Sequence, residues 1–257
     1  MNAFQTIGSR TEGNVTRLRI QRPEARNTIN DLLIRECHHA LDIAEQSSAV
    51  VVIEGSRDVF CFGADFGGMR SQTASGGSSE ASHDPSPLYD LWTRLALGPF
   101  ISVAHVEGVA NAGGVGFAAA CDIVIAGPNA RFSLSELIFG LLPACVLPFL
   151  IRRVGHQRAH YLTLSTAPIH PEQAVVWGLA DATAADSEDL LRRHLLRLRR
   201  LPRHGVEHYK RYQTRLSRLL TEARPDAIAA NREAFSDRRN LDGILRYVDT
   251  GKFPWES

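Results

Sequence analysis

The hydrophobic and polar residues of this chain follow two periodicities, one typical of strands and one typical of helices. Residues 15–20 alternate with a period of two, which predicts a half-buried strand. Asn30 precedes apolar residues at helical spacing from Ile34 to Ala44, which predicts a capped helix. The β-branched run 49–55 predicts a strand buried on both faces. The order strand, helix, strand indicates an α/β architecture.

The middle of the chain continues this alternation after one low-complexity segment. Residues 71–87 are rich in Ser, Gly and Ala, so we expect a mobile loop inside the domain. Residues 87–96 predict a helix with one apolar face, and residues 100–108 predict a buried strand. A helix that ends near Cys121 and a strand over 122–127 follow.

The last third of the chain has a different pattern. After Gly155 only helices are predicted, among them an Arg-rich amphipathic run from Glu188 to Leu220 and a further stretch from Asp226 to Val248. We therefore divide the chain into an α/β core over 1–190 and a helical C-terminal region over 191–257.

Length and charge exclude several classes of protein. The 257 residues suffice for one large domain with a sizeable core. Lys and Arg number 29 against 28 Asp and Glu, a balance that argues against a nucleic-acid-binding protein. The N-terminus lacks the apolar run of a signal peptide, and no uncharged stretch is long enough to cross a bilayer. We expect a cytoplasmic protein without a membrane partner.

Cysteine and histidine spacing gives no metal site. Four cysteines lie far apart in apolar segments, so we interpret them as small buried hydrophobic residues: Cys37, Cys61, Cys121 and Cys145. Four histidines are dispersed without ligand spacing and without partner carboxylates: His105, His156, His160 and His170. No metal is predicted.

Two glycine-centred stretches carry the first candidate chemistry. The sequence VFCFGADF occupies 59–66, and GVANAGGVGFAAACDIVIA occupies 108–126. Gly113 and Gly114 stand at the start of a predicted helix, where backbone N–H groups lack intrahelical partners. With an N–H near Ala64 they form the pair of donors that an oxyanion hole requires. The alternative is close packing of helix on sheet and nothing more.

The motifs RPEARNTIN, VFCFGADF, GVANAGGVGFAAACDIVIA and ARFSLSELIFGLLP, in this order, resemble the crotonase superfamily, the enoyl-CoA hydratases and isomerases. The resemblance implies a spiral of β-β-α units with a helical C-terminal region that forms trimers, often paired into hexamers. It also implies a substrate that is a thioester of a pantetheine arm, on coenzyme A or a carrier protein, and no other cofactor. The oxyanion amides fall on Ala64 and Gly113.

The resemblance also implies a catalytic carboxylate. Hydratases of this superfamily use two glutamates, and Glu136 matches the second. Gly116 stands where the first would be, so simple two-glutamate hydration is in doubt. One acid/base suffices if proton abstraction and hydroxyl departure occur on one face of the substrate. The alternative for Glu136 is a helix cap, because Ser133 precedes it by three residues.

Within the superfamily, the sequence resembles the dehydratases of polyketide β-branching, which act on 3-hydroxy-3-methylglutaryl attached to an acyl carrier protein. The residues that carry this resemblance are FCFGADF at 60–66, VANAGGVGF at 109–117, SELIFGLLPACVLPFLIRRVG at 135–155 and LRYVDTGKFPWE at 245–256. This branch implies a hydro-lyase that forms 3-methylglutaconyl thioester. Ala64 and Gly113 would polarise the thioester carbonyl while Glu136 removes a C2 proton and assists loss of the C3 hydroxyl. The alternatives are a decarboxylase or enoyl-thioester isomerase of the same superfamily, or a non-catalytic scaffold that binds a carrier protein or RNA.

Several other residues are candidates for substrate binding. Asp65 follows the oxyanion residue, where a role in holding that loop competes with direct chemistry. Tyr89, Trp92 and Arg94 can roof the pocket, although a core-facing helix explains Trp92 equally well. Arg26 is a candidate for the pantetheine phosphate.

A basic run in the C-terminal third has two interpretations. It contains Arg192, Arg193, Arg197, Arg199, Arg200, Arg203, Lys210 and Arg211. Such a run is commonly a solvated helix face. Near the mouth of a pocket it would instead attract an acidic carrier protein.

Overall fold

Two parallel sheets form the core of the structure, a computed structural model that describes residues 4–68 and 84–256. In chain order the strands are β1 (Ile7–Glu12), β2 (Val15–Ile20), β3 (Val50–Glu54), β4 (Val59–Cys61), β5 (Ile101–Val106), β6 (Val109–Asn111), β7 (Ile123–Ala126), β8 (Arg131–Ser133) and β9 (Ala182–Thr183). The larger sheet has the order β1-β2-β3-β5-β7-β9 and the smaller β4-β6-β8. Only the β1/β2 pair is antiparallel.

Each pair of consecutive strands contributes one strand to each sheet. The pairs are β3 with β4, β5 with β6, and β7 with β8. The chain therefore winds as a spiral, and the short second strand of each turn ends at the same edge of the smaller sheet.

The helices cover both faces of the larger sheet. In chain order they are α1 (Asp31–Ser47), α2 (Ser86–Leu97), α3 (Gly113–Ala120), α4 (Leu147–Val154), α5 (His156–Ser165), α6 (Pro171–Trp177), α7 (Ser187–Leu198), α8 (Arg203–Leu216), α9 (Leu219–Glu222), α10 (Arg224–Ser236) and α11 (Arg238–Thr250). Two 3-10 turns lie at Pro23–Ala25 and Glu136–Phe139.

Alternation in β3 decides which helices cover which face. Val51 and Ile53 pack in a cluster with residues of α1, α2 and α3. Val50 and Val52 face the other way and pack in a cluster with Leu191 of α7 and Val206 of α8. Every residue of β3 is buried for this reason, as the β-branched run predicts.

The start of α1 also follows the prediction. The side chain of Asn30 accepts a hydrogen bond from the Leu33 amide at 2.9 Å, which satisfies one of the free N–H groups of the first turn. Leu33 and Leu41 are fully buried.

Three expectations need correction. The last third is not purely helical, because Ala182–Thr183 pairs with β7; two residues are too few to show a period. The loop expected over 71–87 falls mostly on 69–83, outside the described residues, and residues 86 and 87 already belong to α2. The stretch 226–248 forms two helices, because the extended backbone of Asp237 interrupts the helix between α10 and α11.

The helical region begins inside the predicted core. Because α7 starts at Ser187, the expected boundary between 190 and 191 falls within a helix. The division into two regions stays a prediction. No described helix is long and apolar enough to span a membrane. The four cysteines are buried free thiols, as expected.

Lys210 is a further correction, because it is not part of a solvated basic face. Its side chain is buried in α8, and its ammonium donates to the Phe100 carbonyl and to Asp122 Oδ2, each at 2.8 Å. Asp122 also accepts from the amide of Ser102. Lys210 therefore joins the helical region to the end of α2 and the start of β5 and β7.

We expect Lys210→Ala to lower the free energy of unfolding by about 3 kcal/mol, because removing one partner of a buried ion pair leaves the other uncompensated. The neighbouring Arg211→Ala is the matched control. Arg211 is exposed and pairs with Glu207 across one helical turn, so its loss should cost less than about 0.5 kcal/mol. Chemical denaturation measures both, and equal losses would contradict the anchoring role of Lys210.

Candidate active site

The carboxyl ends of β4, β6 and β8 bring three sequence-predicted residues to one edge of the smaller sheet. Strands β4 and β8 both pair with β6 in parallel, so the three chains leave the sheet side by side. The chain after β4 carries Ala64, the chain after β6 carries Gly113, and the chain after β8 carries Glu136. Ligands of open parallel sheets bind at such carboxyl ends.

Close approach of backbone to backbone forms the first part of the site. A Cβ at Gly114 would overlap the carbonyl oxygen of Cys61, so only glycine lets α3 lie against β4. Gly63 has φ of 93°, and a Cβ there would lie 2.8 Å from the Cβ of Ala112. These two glycines allow the chain before Ala64 to meet the chain before Gly113.

The amides of Ala64 and Gly113 have no acceptor among the described residues. Ile29 takes the hydrogen bonds on either side of Ala64: its N–H donates to the Gly63 carbonyl at 2.7 Å and its carbonyl accepts from the Asp65 amide at 3.1 Å. The Ala64 N–H therefore points away from that bridge. Gly113 is the first residue of α3, where N–H groups lack intrahelical partners. The two amides meet the chemical requirement of an oxyanion hole.

Backbone strain lies at the junction between β6 and α3. Ala112 has φ of 51° and ψ of −116°, a region that non-glycine residues rarely occupy. Its amide donates to the Ser133 carbonyl at 2.9 Å, and its carbonyl accepts from the Val115 amide at 2.9 Å. The surrounding hydrogen bonds thus hold Ala112 in a costly conformation directly before Gly113, as is common at functional sites.

Glu136 opens the 3-10 turn after β8 and carries an unusual carboxylate. Its Oε2 is buried and has no hydrogen-bond partner among the described residues. Burial raises the pKa of Glu136 to about 7, although the backbone amides of Glu136 and Ser135 oppose the shift. A carboxyl group with a pKa near neutrality both accepts and returns a proton.

A polar network, not a helix cap, accounts for the serines before Glu136. Ser133 Oγ donates to Asn111 Oδ1 at 2.8 Å, and Asn111 Nδ2 donates to Ser135 Oγ at 2.8 Å. Ser133 makes no capping bond to this turn. Asn111 is buried and fixes the segment before Glu136 to the segment before Gly113. Asn111 is not among the residues predicted from the sequence, because its only local signal is a lone amide in an apolar strand.

Aromatic residues from the C-terminal helices cover the Glu136 turn. Phe139 of the turn contacts Phe66, which follows the Ala64 loop, and Tyr247 of α11, with ring centroids 6.2 and 5.2 Å apart. Asn240 Nδ2 donates to the Gly140 carbonyl at 3.1 Å. The helical region therefore packs directly on the candidate site and excludes water from one side of it.

Trp92 occupies the space that a first glutamate would need. A Cβ at Gly116 would lie 2.5 Å from Cζ2 and Cη2 of Trp92. The ring is 1% exposed and its position is fixed by Phe117 and Phe149, each with a centroid 5.8 Å away in an edge-on arrangement. A glutamate at position 116 is thus sterically excluded while Trp92 holds this position, and Glu136 is the carboxylate that the chain after β8 brings to this edge of the sheet.

Asp65 and Arg26 both lie beside the loop after β4 that carries Ala64. Asp65 accepts from Arg22 Nη2 at 2.7 Å and from the Gly68 amide at 2.9 Å. The guanidinium of Arg26 stacks 3.3 Å from the centroid of Phe62, two residues before Ala64. Asp65 makes the contacts of a loop anchor, and Arg26 stands exposed at the rim.

Tyr89 and Arg94 are held by other partners. Tyr89 is fully buried, and its hydroxyl donates to the Leu220 carbonyl at 2.7 Å. Arg94 pairs with Asp42 at 2.7 Å and Glu45 at 3.0 Å on α1. Of the three residues expected to roof the pocket, Trp92 contacts Gly116 and Phe117 of α3.

His105 corrects the expectation that no histidine has partner carboxylates. Its Nδ1 lies 3.5 Å from Glu54 Oε1 and 3.7 Å from Glu188 Oε2. These three side chains could hold a metal ion by their spacing. However, the Arg17 guanidinium donates to Glu54 and to Glu188, each at 2.7 Å, so a cation already neutralises the cluster.

The other end of α3 borders a separate cavity. It has a volume of about 350 Å³, and its lining includes Cys121, Asp122, Arg152 and Lys210. Neither Ala64, Gly113 nor Glu136 lines it. The cavity lies at the carboxyl end of the helix whose amino end carries Gly113, so it is distinct from the candidate active site.

The raised pKa of Glu136 predicts a pH-dependent cost in stability. The folded protein binds this proton between about pH 4.5 and 7, where the unfolded chain has released it, so stability falls as pH rises through this window. We expect Glu136→Gln to be more stable than the parent by on the order of 1 to 3 kcal/mol at pH 8 and equally stable near pH 4. Denaturation at several pH values measures this. The exposed Glu172→Gln is the control, and a pH-independent difference for Glu136→Gln would contradict the prediction.

Comparison with known proteins identifies the family of this chain. A family model described as enoyl-CoA hydratase/isomerase matches residues 10–257. The bacillaene synthase dehydratase PksH of Bacillus subtilis strain 168 is 52% identical over 254 residues, which cover 98% of this chain and 97% of that protein. The 2,3-dehydroadipyl-CoA hydratase of Escherichia coli K12 is 36% identical over 165 residues, 63% of this chain and 62% of that protein.

Solved structures give the same result. The crystal structure of the polyketide biosynthesis enoyl-CoA hydratase PksH from Bacillus subtilis has a TM-score of 0.95 at 51% identity and covers 98% of this chain and 100% of that chain. The predicted α/β crotonase fold with its helical C-terminal region is confirmed, as is the resemblance to a dehydratase of polyketide biosynthesis. The chain belongs to the enoyl-CoA hydratase/isomerase family, the crotonase superfamily.

Proposed function

We propose that this protein removes water from 3-hydroxy-3-methylglutaryl thioester on an acyl carrier protein and so forms 3-methylglutaconyl thioester. The single observation that carries the proposal is Glu136, a buried carboxylate with a pKa raised to about 7 at the sheet edge that also holds two free amides. The predicted class of hydro-lyase is confirmed, because the relatives named above include a dehydratase and a hydratase.

In the proposed first step the thioester carbonyl oxygen accepts hydrogen bonds from the Ala64 and Gly113 amides. Glu136 removes a proton from C2, and the electron pair of that C–H bond moves onto the carbonyl oxygen to give an enolate. The two amides stabilise this anion, and removing one such donor typically costs about 100- to 1000-fold in rate.

In the second step the enolate collapses. The electron pair returns to form the C2–C3 double bond, the C3–O bond breaks, and the leaving oxygen takes the proton that Glu136 holds. The products are water and the unsaturated thioester, and Glu136 is ionised again. One carboxylate therefore serves both proton transfers, which a pKa near 7 favours because neither protonation state is strongly preferred.

The carrier protein is the proposed partner for two reasons. The relative named PksH is described as a dehydratase of bacillaene synthase, and polyketide synthases carry their intermediates on acyl carrier proteins. This chain also exposes Arg197, Arg199 and Arg200 around the end of α7, where they can attract an acidic partner. We further propose that Arg26 meets the pantetheine phosphate, that no additional cofactor takes part, and that the C-terminal helices form a trimer or hexamer.

Replacing Glu136 tests the reaction. We expect Glu136→Gln to fold and to lose turnover by more than about 1000-fold, because the amide neither accepts nor returns the proton. Intact-protein mass spectrometry of a carrier protein loaded with 3-hydroxy-3-methylglutaryl shows loss of the mass of water with the parent enzyme. Glu172→Gln, which removes an exposed carboxylate on α6, should retain full activity.

The same spectrum separates the alternatives. Loss of the mass of carbon dioxide would assign a decarboxylase, and an unchanged mass with a shifted double bond would assign an isomerase. Salt-sensitive binding of RNA without turnover of the thioester would favour a non-catalytic scaffold. Dehydration by Glu136→Gln at the parent rate would exclude Glu136 as the acid/base.

A further inference from the structure

Two buried side-chain atoms have no hydrogen-bond partner within the described parts of the chain, Trp92 Nε1 and Glu136 Oε2. Folded proteins pair almost all such atoms, because an unpaired buried polar group costs the desolvation energy that a partner would offset. One of the two atoms is a hydrogen-bond donor and the other an acceptor. The function proposed above uses the acceptor and leaves the donor unexplained.

The donor borders the oxyanion hole. The six-membered ring of Trp92 faces the first turn of α3: its Cζ2 lies 3.7 Å from the position of a Cβ at Gly113 and 2.5 Å from that of a Cβ at Gly116. Cζ2 is bonded to the ring carbon that carries Nε1. The indole N–H is therefore close to Gly113, whose own amide is one of the two oxyanion donors.

The acceptor borders the same turn from the neighbouring strand. Asn111 and Ala112, which precede Gly113, hydrogen-bond to Ser135 and Ser133, which precede Glu136. The two orphaned atoms thus stand on elements that are fixed to the start of α3, one on α2 and one after β8. Packing against Phe117 and Phe149 explains the position of the Trp92 ring but gives its N–H no partner among the described residues.

A hydroxyl group is the ligand that satisfies one donor and one acceptor at once. We propose that Trp92 Nε1–H donates a hydrogen bond to the C3 hydroxyl oxygen of the substrate and makes Trp92 a catalytic residue. The hydroxyl proton faces Glu136 Oε2. This inference rests on the proposed dehydration. Because position 116 is a glycine, no glutamate lies there, and a neutral indole takes the place beside the leaving oxygen.

The role of the indole follows from where charge and protons move when the C3–O bond breaks. When the C3–O bond breaks, negative charge develops on the oxygen while it takes the proton from Glu136. The Trp92 N–H keeps its own proton and stabilises that charge through the hydrogen bond. The indole is neutral, whereas a second carboxylate in this place would repel the Glu136 charge and the enolate.

Substitution by an isostere tests the donor without changing the packing. Replacement of Trp92 by 3-benzothienylalanine, in which sulfur stands for N–H, keeps the ring shape against Gly116. We expect kcat to fall about 10- to 100-fold, the size of a lost hydrogen bond to a buried polar group, with an unchanged melting temperature. Phe149→Leu is the control: it loosens the same aromatic cluster but keeps the N–H, so it should lower the melting temperature more than kcat.

Indole NMR gives a readout that packing would not move. The chain has three tryptophans, so ¹⁵N-labelled Glu136→Gln protein gives three indole signals, and Trp92→Phe assigns one of them. We expect 3-hydroxy-3-methylglutaryl-pantetheine to move the Trp92 proton downfield and 3-methylglutaryl-pantetheine, which lacks the hydroxyl, to leave it near its free position.

The outcomes separate the two proposals. Parent enzyme that dehydrates its substrate, with a benzothienyl variant of equal kcat or equal shifts by both ligands, overturns the role of Trp92 and leaves dehydration standing. Parent enzyme that releases no water from the loaded carrier protein overturns dehydration, and the role of Trp92 falls with it. Loss of kcat in the benzothienyl variant with a shift confined to the hydroxylated ligand supports both.

Discussion

The close approach of helix α3 to strand β4 is the constraint on which the site depends. Any side chain at Gly114 would overlap the Cys61 carbonyl, and any at Gly63 would crowd Ala112. These contacts draw the ends of β4 and β6 together and aim the Ala64 and Gly113 amides away from their own strands. Ala112 is strained by that geometry, and its hydrogen bonds with Ser133 and Val115 hold it in place.

A second consequence concerns charge. Trp92 packs against Gly116 and fills the space that a second glutamate would need there. The Glu136 turn is covered by Phe66 and by Tyr247 of α11, and Glu136 Oε2 is buried without a hydrogen-bond partner among the described residues. Burial therefore raises its pKa toward neutrality. A single group of this kind suits a reaction in which the proton taken is the proton returned.

Much of this structure follows from local sequence. The Asn30 cap and the β-branched run 49–55 each predict their element, because capping and burial on both faces leave strong local signals. The strands of the smaller sheet cannot be predicted from a period-two pattern, because three residues show less than two full alternations. The glycine motifs predict where amides are free, and only the parallel pairing of β4, β6 and β8 shows that Glu136 lies at the same edge.

Side-chain contacts between residues far apart in the chain were the hardest features to predict from the sequence. A helical pattern places Lys210 on a face of α8 but does not show that Asp122 lies opposite, so a buried ion pair looked like a solvated charge. The same holds for His105, whose carboxylates come from β3 and α7, and for the Trp92 ring that meets Gly116. Each depends on contacts between residues more than 20 positions apart, which no window of sequence contains.

The central claim is that one carboxylate on one face of the substrate performs both proton transfers. It requires the C2 proton and the C3 hydroxyl to leave from the same side. The most direct measurement uses carrier protein loaded with 3-hydroxy-3-methylglutaryl that carries deuterium stereospecifically at C2, in each of the two configurations, with the mass of the product recorded. The account predicts that deuterium is lost only from the isomer in which it lies syn to the hydroxyl; loss from the anti isomer would contradict it and would require a second acid/base on the opposite face.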